Sequence, residues 1–202
     1  SVMTEHDKKI TAYHEGGHAL VGHVLEFADP IHKVTIVSRG NAGGVTWSLP
    51  TEDRAYKGLA EFHDGLAQAL GGRIAEEIVF GPEHVTTGAS SDIRTATAMA
   101  RDMVIKYGFS ESLPNLFLAG DDNGILLDRD FASTKSYSEE TAKKIDHEIG
   151  KILDEAAKRS KAVLIQNRKL LDALAEALLK EETLDETRVN DILKGTTMPK
   201  NI

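Results

Sequence analysis

Apolar residues return every three or four positions along most of this chain and alternate with polar residues in two short stretches. The first pattern is typical of amphipathic helices, and the second of half-buried strands. Glycine and proline separate the stretches, which bounds the elements. Helices are predicted over residues 5–26, 57–79, 93–107, 139–166 and 169–180, with a short last helix around 189–193, and strands over 31–37 and 45–49.

Several helices are preceded by residues whose side chains can accept hydrogen bonds from the first turn. Such N-caps are typically Ser, Thr, Asp or Asn, and an acidic residue three positions later completes a capping box. The predicted N-caps are Thr4 with Asp7, Ser90 or Ser91, Ser138, and Thr183 with Glu186.

The order of these elements predicts a mainly α fold with a small β-sheet, an α+β architecture. A two-stranded hairpin is marginal alone, so the strands must pack on helices or pair with a third strand. Residues 109–134 carry turn signals at Pro114 and around residues 121–124, where a short second hairpin is predicted. From residue 135 the pattern is that of a helical bundle, which alone predicts no chemistry.

Composition excludes several classes of function. The net charge is -8 and no basic stripe is present, which argues against a nucleic-acid surface. The chain has no cysteine, so any metal site must use histidine and carboxylate ligands. No apolar run is long enough to span a membrane. No phosphate-binding loop motif occurs, so an ATPase site is not expected in this chain.

The candidate chemistry lies in the first helix, where His14, Glu15 and His18 form a His-Glu-x-x-His motif. Residues four apart point the same way on a helix, so the two histidines can bind one metal ion. Glu15 lies about 100° further round the helix, beside the metal, where it can take a proton from water. The alternative is two surface histidines on an amphipathic helix, but this motif is typical of zinc metalloproteases.

Two histidines leave a catalytic zinc ion one protein ligand short. Glu76 lies on the second predicted helix and Asp92 at the start of the third, and His84 is a weaker candidate. Spacing alone does not separate Asp92 from Glu76. If Glu76 is not a ligand, it is predicted to hydrogen-bond a ligand histidine.

Five segments occur in one order along the chain, together with S-Y-S-E-E-T-A and D-E-T-R-V-N-D-I-L near its end. The chain thereby resembles the peptidase domain of the FtsH family, membrane-anchored AAA+ zinc proteases. The segments are H-E-G-G-H-A-L-V-G-H, D-P-I-H-K-V-T-I-V-S-R-G, G-V-T-W-S-L-P, L-G-G-R-I-A-E-E-I-V-F-G and T-T-G-A-S-S-D-I. The family usually has alanine where Gly16 stands, a difference that touches no ligand.

The resemblance implies one Zn²⁺ per chain held by His14, His18 and Asp92, with Glu15 as the base. It implies a homo-hexameric ring at the cytoplasmic face of a membrane, where an AAA+ ATPase module uses ATP to deliver unfolded polypeptides. The membrane anchor and that module lie outside this chain, which is expected to be a soluble fragment. We predict a zinc-peptidase core over residues 1–134 and a C-terminal helical part of the same domain over 135–202.

The leading hypothesis is therefore a zinc-dependent endopeptidase that hydrolyses unfolded or membrane-derived proteins. The alternatives are a zinc aminopeptidase-like hydrolase with Glu76 as a ligand, and a non-catalytic helical oligomerisation domain. The second predicted strand is expected to bind substrate as an edge strand beside the metal, and the alternative is an ordinary covered strand. Its predicted substrate-binding residues are Val45, Thr46, Trp47 and Ser48.

Overall fold

Six α-helices and a three-stranded sheet form the regular structure of the computed structural model, which describes residues 2–37, 44–48, 56–113, 115–120 and 137–202. This confirms the mainly α fold with a small sheet. The helices are α1 (Glu5–Val24), α2 (Leu59–Phe80), α3 (Ser90–Ile105), α4 (Glu139–Gln166), α5 (Arg168–Glu181) and α6 (Glu186–Ile192). The strands are β1 (Ile31–Thr35), β2 (Val45–Ser48) and β3 (Thr183–Asp185).

Helix α1 begins at the predicted capping box. The Thr4 hydroxyl accepts a hydrogen bond from the backbone N–H of Asp7, whose carboxylate accepts one from the backbone N–H of Thr4. The helix then packs chiefly on α2 and α5, and Ala12, Leu20 and Val21 are completely buried. The residues of the His-Glu-x-x-His motif are therefore fixed on a helix at the centre of the fold.

The C-terminal helices bury one apolar stripe each. On α5 the buried side chains of Leu171, Leu174 and Leu178 follow the helical period of three to four residues. Helix α4 is capped by Ser138, whose hydroxyl accepts a hydrogen bond from the backbone N–H of Thr141, as predicted. It packs along α2 and α3, so the C-terminal helices supply the layer that covers α1 and α2.

The sheet has the strand order β2-β1-β3, and both pairings are antiparallel. Val34 of β1 pairs with Thr46 on one side and with Leu184 on the other, and its side chain is completely buried. Within the described ranges, β2 is hydrogen-bonded to β1 alone and is thus an edge strand. The third strand was not predicted, although the hairpin was expected to need a third strand or helices.

Two predicted N-caps are wrong. Helix α3 begins at Ser90 after Ala89, which has no side-chain capping bond, because a 3-10 turn at Thr87–Ala89 runs directly into the helix. At α6 the cap is Asp185, whose carboxylate accepts the backbone N–H of Arg188. Thr183 belongs instead to β3 and pairs with Thr35.

Some predictions fall on residues outside the described ranges. They include residues 38–43 of the connection between the two predicted strands, the hairpin around residues 121–124 and the domain boundary at residue 134, so the division into 1–134 and 135–202 stays a prediction. Among the described helices, none combines the length and the apolar character that a membrane span requires.

Candidate metal centre

Three side chains from two helices converge on one point. Nε2 of His14 lies 2.8 Å from Oδ2 of Asp92, and Nε2 of His18 lies 3.0 Å from the same oxygen. The two Nε2 atoms are 3.1 Å apart. His14 and His18 come from α1, and Asp92 comes from the first turn of α3. The structure thus brings together the three residues that the family resemblance assigns to the metal.

Both imidazoles are oriented by hydrogen bonds on their other nitrogen. Nδ1 of His18 lies 2.8 Å from the backbone carbonyl oxygen of Gln68, which can only accept. Nδ1 of His14 lies 2.6 Å from Oε2 of Glu76. In the neutral rings the proton therefore lies on Nδ1, and each Nε2 directs its lone pair towards Asp92 and the other ring.

This set of atoms fits a divalent cation of the zinc type. Two imidazole lone pairs and a carboxylate oxygen within about 3 Å repel one another unless a proton or a cation lies between them. Ligands 2.0–2.1 Å from a tetrahedral zinc ion are about 3.3 Å apart, close to the separations seen here. Two histidines and one carboxylate leave the fourth position of such a site open to water.

The pKa values of the site residues agree with a site that holds a positive charge. Burial alone would lower the pKa of His14, but its hydrogen bonds to Asp92 and Glu76 outweigh burial and raise the pKa to about 10. Burial alone would raise the pKa of Asp92, but its contacts with the two histidines hold the pKa well below its usual range. The carboxylates therefore favour a positive charge at this point, whether a proton or a metal ion carries it.

Glu76 joins the ligand histidine to the segment that leads to Asp92. It is completely buried on α2. Its Oε2 faces His14, and its Oε1 accepts hydrogen bonds from the backbone N–H of Thr86 at 3.0 Å and from the Thr86 hydroxyl at 2.7 Å. Thr86 caps the 3-10 turn that runs into α3. Glu76 therefore lies on the Nδ1 side of His14, away from the convergence point, whereas Asp92 lies on the Nε2 side.

Glu15 lies beside the three converging residues and is only 7% exposed. Its Oε2 accepts a hydrogen bond of 2.6 Å from the hydroxyl of Thr46. Glu15 is not a member of the metal-ligating group found among the described residues, which consists of His14, His18 and Asp92. This is the position expected for a group that acts on a water molecule at the metal.

A cleft of about 720 Å³ opens over the site. Val45 and Thr46 of β2 line one side of it. Trp47 and Ser48 continue β2, and only their backbone is described. His84 lies exposed in a turn at Pro82–His84 and does not join the ligands.

Three contributors to the site were missed as functional residues in the sequence. A Cβ added to Gly72 would lie 2.6 Å from Nε2 of both His14 and His18, so only glycine fits there. The glycine pair in the second predicted helix was a usable signal for a close approach. The Gln68 carbonyl had no such signal, because a backbone acceptor leaves no side-chain pattern. Thr86 stands at the start of the T-T-G-A-S-S-D-I segment, but no role was assigned to it there.

The sequence was also compared with known proteins. Residues 1–192 match Peptidase family M41. The chain is 47% identical over 195 residues to the ATP-dependent zinc metalloprotease FtsH 3 of Synechocystis sp., covering 95% of the chain and 32% of that protein. It is 46% identical over 193 residues to the FtsH protease of Rubrobacter xylanophilus, covering 96% and 29%.

A third relative matches the chain with similar identity and coverage. The ATP-dependent zinc metalloprotease FtsH of Bacillus subtilis is 44% identical over 200 residues, which is 98% of the chain and 31% of that protein. The chain thus spans about a third of the length of the curated relatives it matches. The match covers the converging His14, His18 and Asp92, and this chain belongs to Peptidase family M41.

Proposed function

We propose that this chain is a zinc-dependent endopeptidase with one Zn²⁺ bound by His14, His18 and Asp92. The observation that carries the proposal is the convergence of His14 Nε2, His18 Nε2 and Asp92 Oδ2 within 3.1 Å of one another, with Glu15 beside them. The names of the relatives, which are zinc metalloproteases, supply the identity of the metal.

Each residue of the site has its own role in the proposed hydrolysis. Bound there, Zn²⁺ would make a water molecule more acidic and polarise the scissile carbonyl. Glu15 accepts the proton of the attacking water and then donates it to the nitrogen of the leaving amine, so the base ends each cycle deprotonated. Glu76 holds the ring of His14 in place by its hydrogen bond to Nδ1.

The edge strand β2 is the proposed binding site for the substrate backbone. An extended peptide would add to its free edge by main-chain hydrogen bonds, which suits a protease with little sequence preference. The residues that line the described part of the cleft include no lysine or arginine. A peptide C-terminus therefore has no cationic partner among them, which favours cleavage within a chain over removal of C-terminal residues.

For the whole protein, we propose that this chain is the proteolytic module of an ATP-dependent protease. The relatives bear that name, and the chain spans about a third of their length. ATP would be used by an AAA+ module elsewhere in the protein, which delivers unfolded or membrane-derived polypeptides to the cleft. A homo-hexamer at the cytoplasmic face of a membrane completes this proposal, which here rests on the family resemblance.

The test compares Glu15→Gln with His14→Ala. Glutamine keeps the shape of the side chain but cannot take the proton, so zinc content should stay near one per chain while cleavage of unfolded casein falls about 10²–10⁴-fold. His14→Ala should lose zinc and activity together. Elemental analysis and casein cleavage are measured on both. A Glu15→Gln protein that cleaves at the parent rate would refute the proposed function.

A further inference from the structure

The hydroxyl of Thr46 connects the edge strand to the carboxylate of Glu15. Its Oγ1 lies 2.6 Å from Oε2 of Glu15 and 3.1 Å from the backbone carbonyl oxygen of the same residue. A hydroxyl has one proton to donate. Because the carboxylate contact is shorter and charge-assisted, we assign the proton to Oε2, with the carbonyl as the weaker second acceptor.

Both partners of this bond are held in place by the surrounding fold. Thr46 on β2 pairs with Val34 of the central strand β1, and Glu15 lies in the interior of α1. At Gly44, the residue before β2, the chain comes so close to α1 that a Cβ would lie 2.6 Å from Cγ2 of Thr11 and 3.1 Å from Cγ of Glu15. The strand therefore contacts the helix at the level of the base.

The bond also distinguishes the two oxygens of the carboxylate. Among the described residues, the hydrogen bond that the Glu15 side chain accepts goes to Oε2, from Thr46, and not to Oε1. Rotation about the last torsion of a glutamate side chain is soft, so an unanchored carboxylate samples many orientations. A base acts efficiently only within hydrogen-bond reach of the proton it takes.

We propose that Thr46 is a positioning residue for the proposed base: its hydroxyl fixes Oε2 of Glu15 and so presents Oε1 to the attacking water. The inference rests on the proposed function. It assigns Thr46 a role through its side chain, in addition to the backbone role proposed for β2 in binding substrate. The strand on which a peptide would be seated thus also orients the group that acts on the peptide.

The main test removes the hydroxyl and keeps the shape. In the zinc-loaded protein, Thr46→Val should lower kcat for cleavage of unfolded casein about tenfold, the factor expected when one hydrogen bond to a charged group is lost. KM should change less than about twofold, because the backbone of β2 is retained. Thr46→Ser restores the hydroxyl and should recover kcat to within about threefold of the parent.

Thr183→Val is the matched control. It removes a hydroxyl from the same sheet, bonded to Thr35 on the other side of β1, and should leave kcat and zinc content unchanged. If Thr46→Val cleaves like the parent, or if Thr46→Ser is as slow as Thr46→Val, the inference is wrong while the proposed function stands. A parent protein that binds zinc but does not cleave would instead overturn the proposed function.

A double-mutant cycle tests the contact without any activity measurement. Thr46→Val should lower the unfolding temperature of the parent by more than it lowers that of Glu15→Ala, because the second background already lacks the carboxylate. Equal shifts in the two backgrounds would show that the two side chains do not interact, and would overturn the inference independently of the cleavage assay.

Discussion

Gly17 of α1 lies directly against Gly71 of α2, with the backbones of the two helices in contact. A Cβ on Gly71 would lie 2.8 Å from the carbonyl oxygen of Gly17, and a Cβ on Gly17 would lie 2.6 Å from Cβ of Ala75. Such distances are shorter than real Cβ contacts, so the helices can approach this closely only at glycine. The approach also places Gly72 against the imidazoles of His14 and His18.

Two neighbouring glycines should therefore respond in opposite ways to alanine. Gly17→Ala introduces a clash in a packed interior and should lower the free energy of unfolding by about 1–3 kcal/mol. At Gly16 a Cβ would meet Cδ1 of Leu171 at 3.5 Å, an ordinary contact. Gly16→Ala should raise the free energy of unfolding by about 0.5–1 kcal/mol, because alanine is the better helix former.

Denaturant unfolding of the two variants measures both effects, and each serves as the control for the other. Zinc content should be unchanged in Gly16→Ala, which touches no ligand. If Gly17→Ala is as stable as the parent, the helices can separate at little cost and the close crossing is not a requirement of the fold. If Gly16→Ala is clearly destabilised, the space beside Leu171 is smaller than the structure indicates.

The helical part of this fold could be predicted from the sequence because its apolar stripes are long. Helices α4 and α5 repeat the helical period over several turns, which fixes their extent to within a residue or two. Strand β3 has only three residues, too few to display a period of two. Thr183 and Asp185 are both acceptable N-caps, and only pairing of Thr183 with β1 decides between them.

The candidate site was predictable only where its residues are close in sequence. His14 and His18 are one helical turn apart, so their shared direction follows from helix geometry. Asp92 and Glu76 could not be separated by spacing, because both are helical carboxylates far from the motif. Only the folded chain shows that one faces Nε2 of His14 and the other faces Nδ1.

That difference in position predicts different metal losses in Asp92→Ala and Glu76→Ala. Asp92→Ala removes a proposed ligand and should lose most of the bound zinc. Glu76→Ala leaves the three converging atoms in place but frees the ring of His14, so zinc should remain bound with an affinity about 10–100-fold lower. Zinc titration of both variants against a competing chelator gives the two affinities.

Glu77 provides the control for that pair, because it is a half-buried glutamate on the same helix that pairs with Lys161 rather than with a histidine. Glu77→Ala should keep the parent affinity for zinc. The assignment of ligands would be reversed if Glu76→Ala lost zinc and Asp92→Ala retained it. Equal losses of zinc affinity in the two variants would instead indicate that the two carboxylates do not have the different roles assigned to them.

The link between α1 and α5 should weaken at alkaline pH. Tyr13 donates a hydrogen bond of 2.7 Å to Asp172, and burial together with that carboxylate raises the pKa of Tyr13 from 10.0 to about 12. Between these values the unfolded chain loses a proton that the folded chain keeps. The unfolded state then binds fewer protons, so the free energy of unfolding falls as pH rises from about 10 to about 12.

Tyr13→Phe should remove that part of the pH dependence and cost about 1 kcal/mol at neutral pH, where the hydrogen bond is intact. Urea unfolding of the parent and the variant across this pH range measures the difference in slope. Tyr56→Phe, at a residue that is 89% exposed, is the control for loss of a phenol. Identical alkaline slopes for the parent and Tyr13→Phe would refute the assigned role of the Tyr13–Asp172 bond.

The edge strand β2 predicts a two-residue periodicity in substrate binding. If an extended peptide pairs with the free edge of β2, alternate backbone N–H groups of the peptide face the strand and the others face solvent. Methylation of a nitrogen that faces the strand removes one hydrogen bond, worth about 1 kcal/mol, and should raise KM about fivefold. Methylation of the next nitrogen along the peptide should have little effect.

A series of peptides, each N-methylated at one position near the scissile bond, tests this directly, because each peptide has its neighbour in the series as a control. The expected result is alternation of high and low KM along the series, for the parent and for Thr46→Ser alike, since the backbone of β2 is the same in both. A uniform effect at every position, or an effect at the scissile bond alone, would mean that the substrate does not bind as a strand. The cleft would then have to hold the peptide by its side chains, and cleavage would depend on the residues flanking the bond.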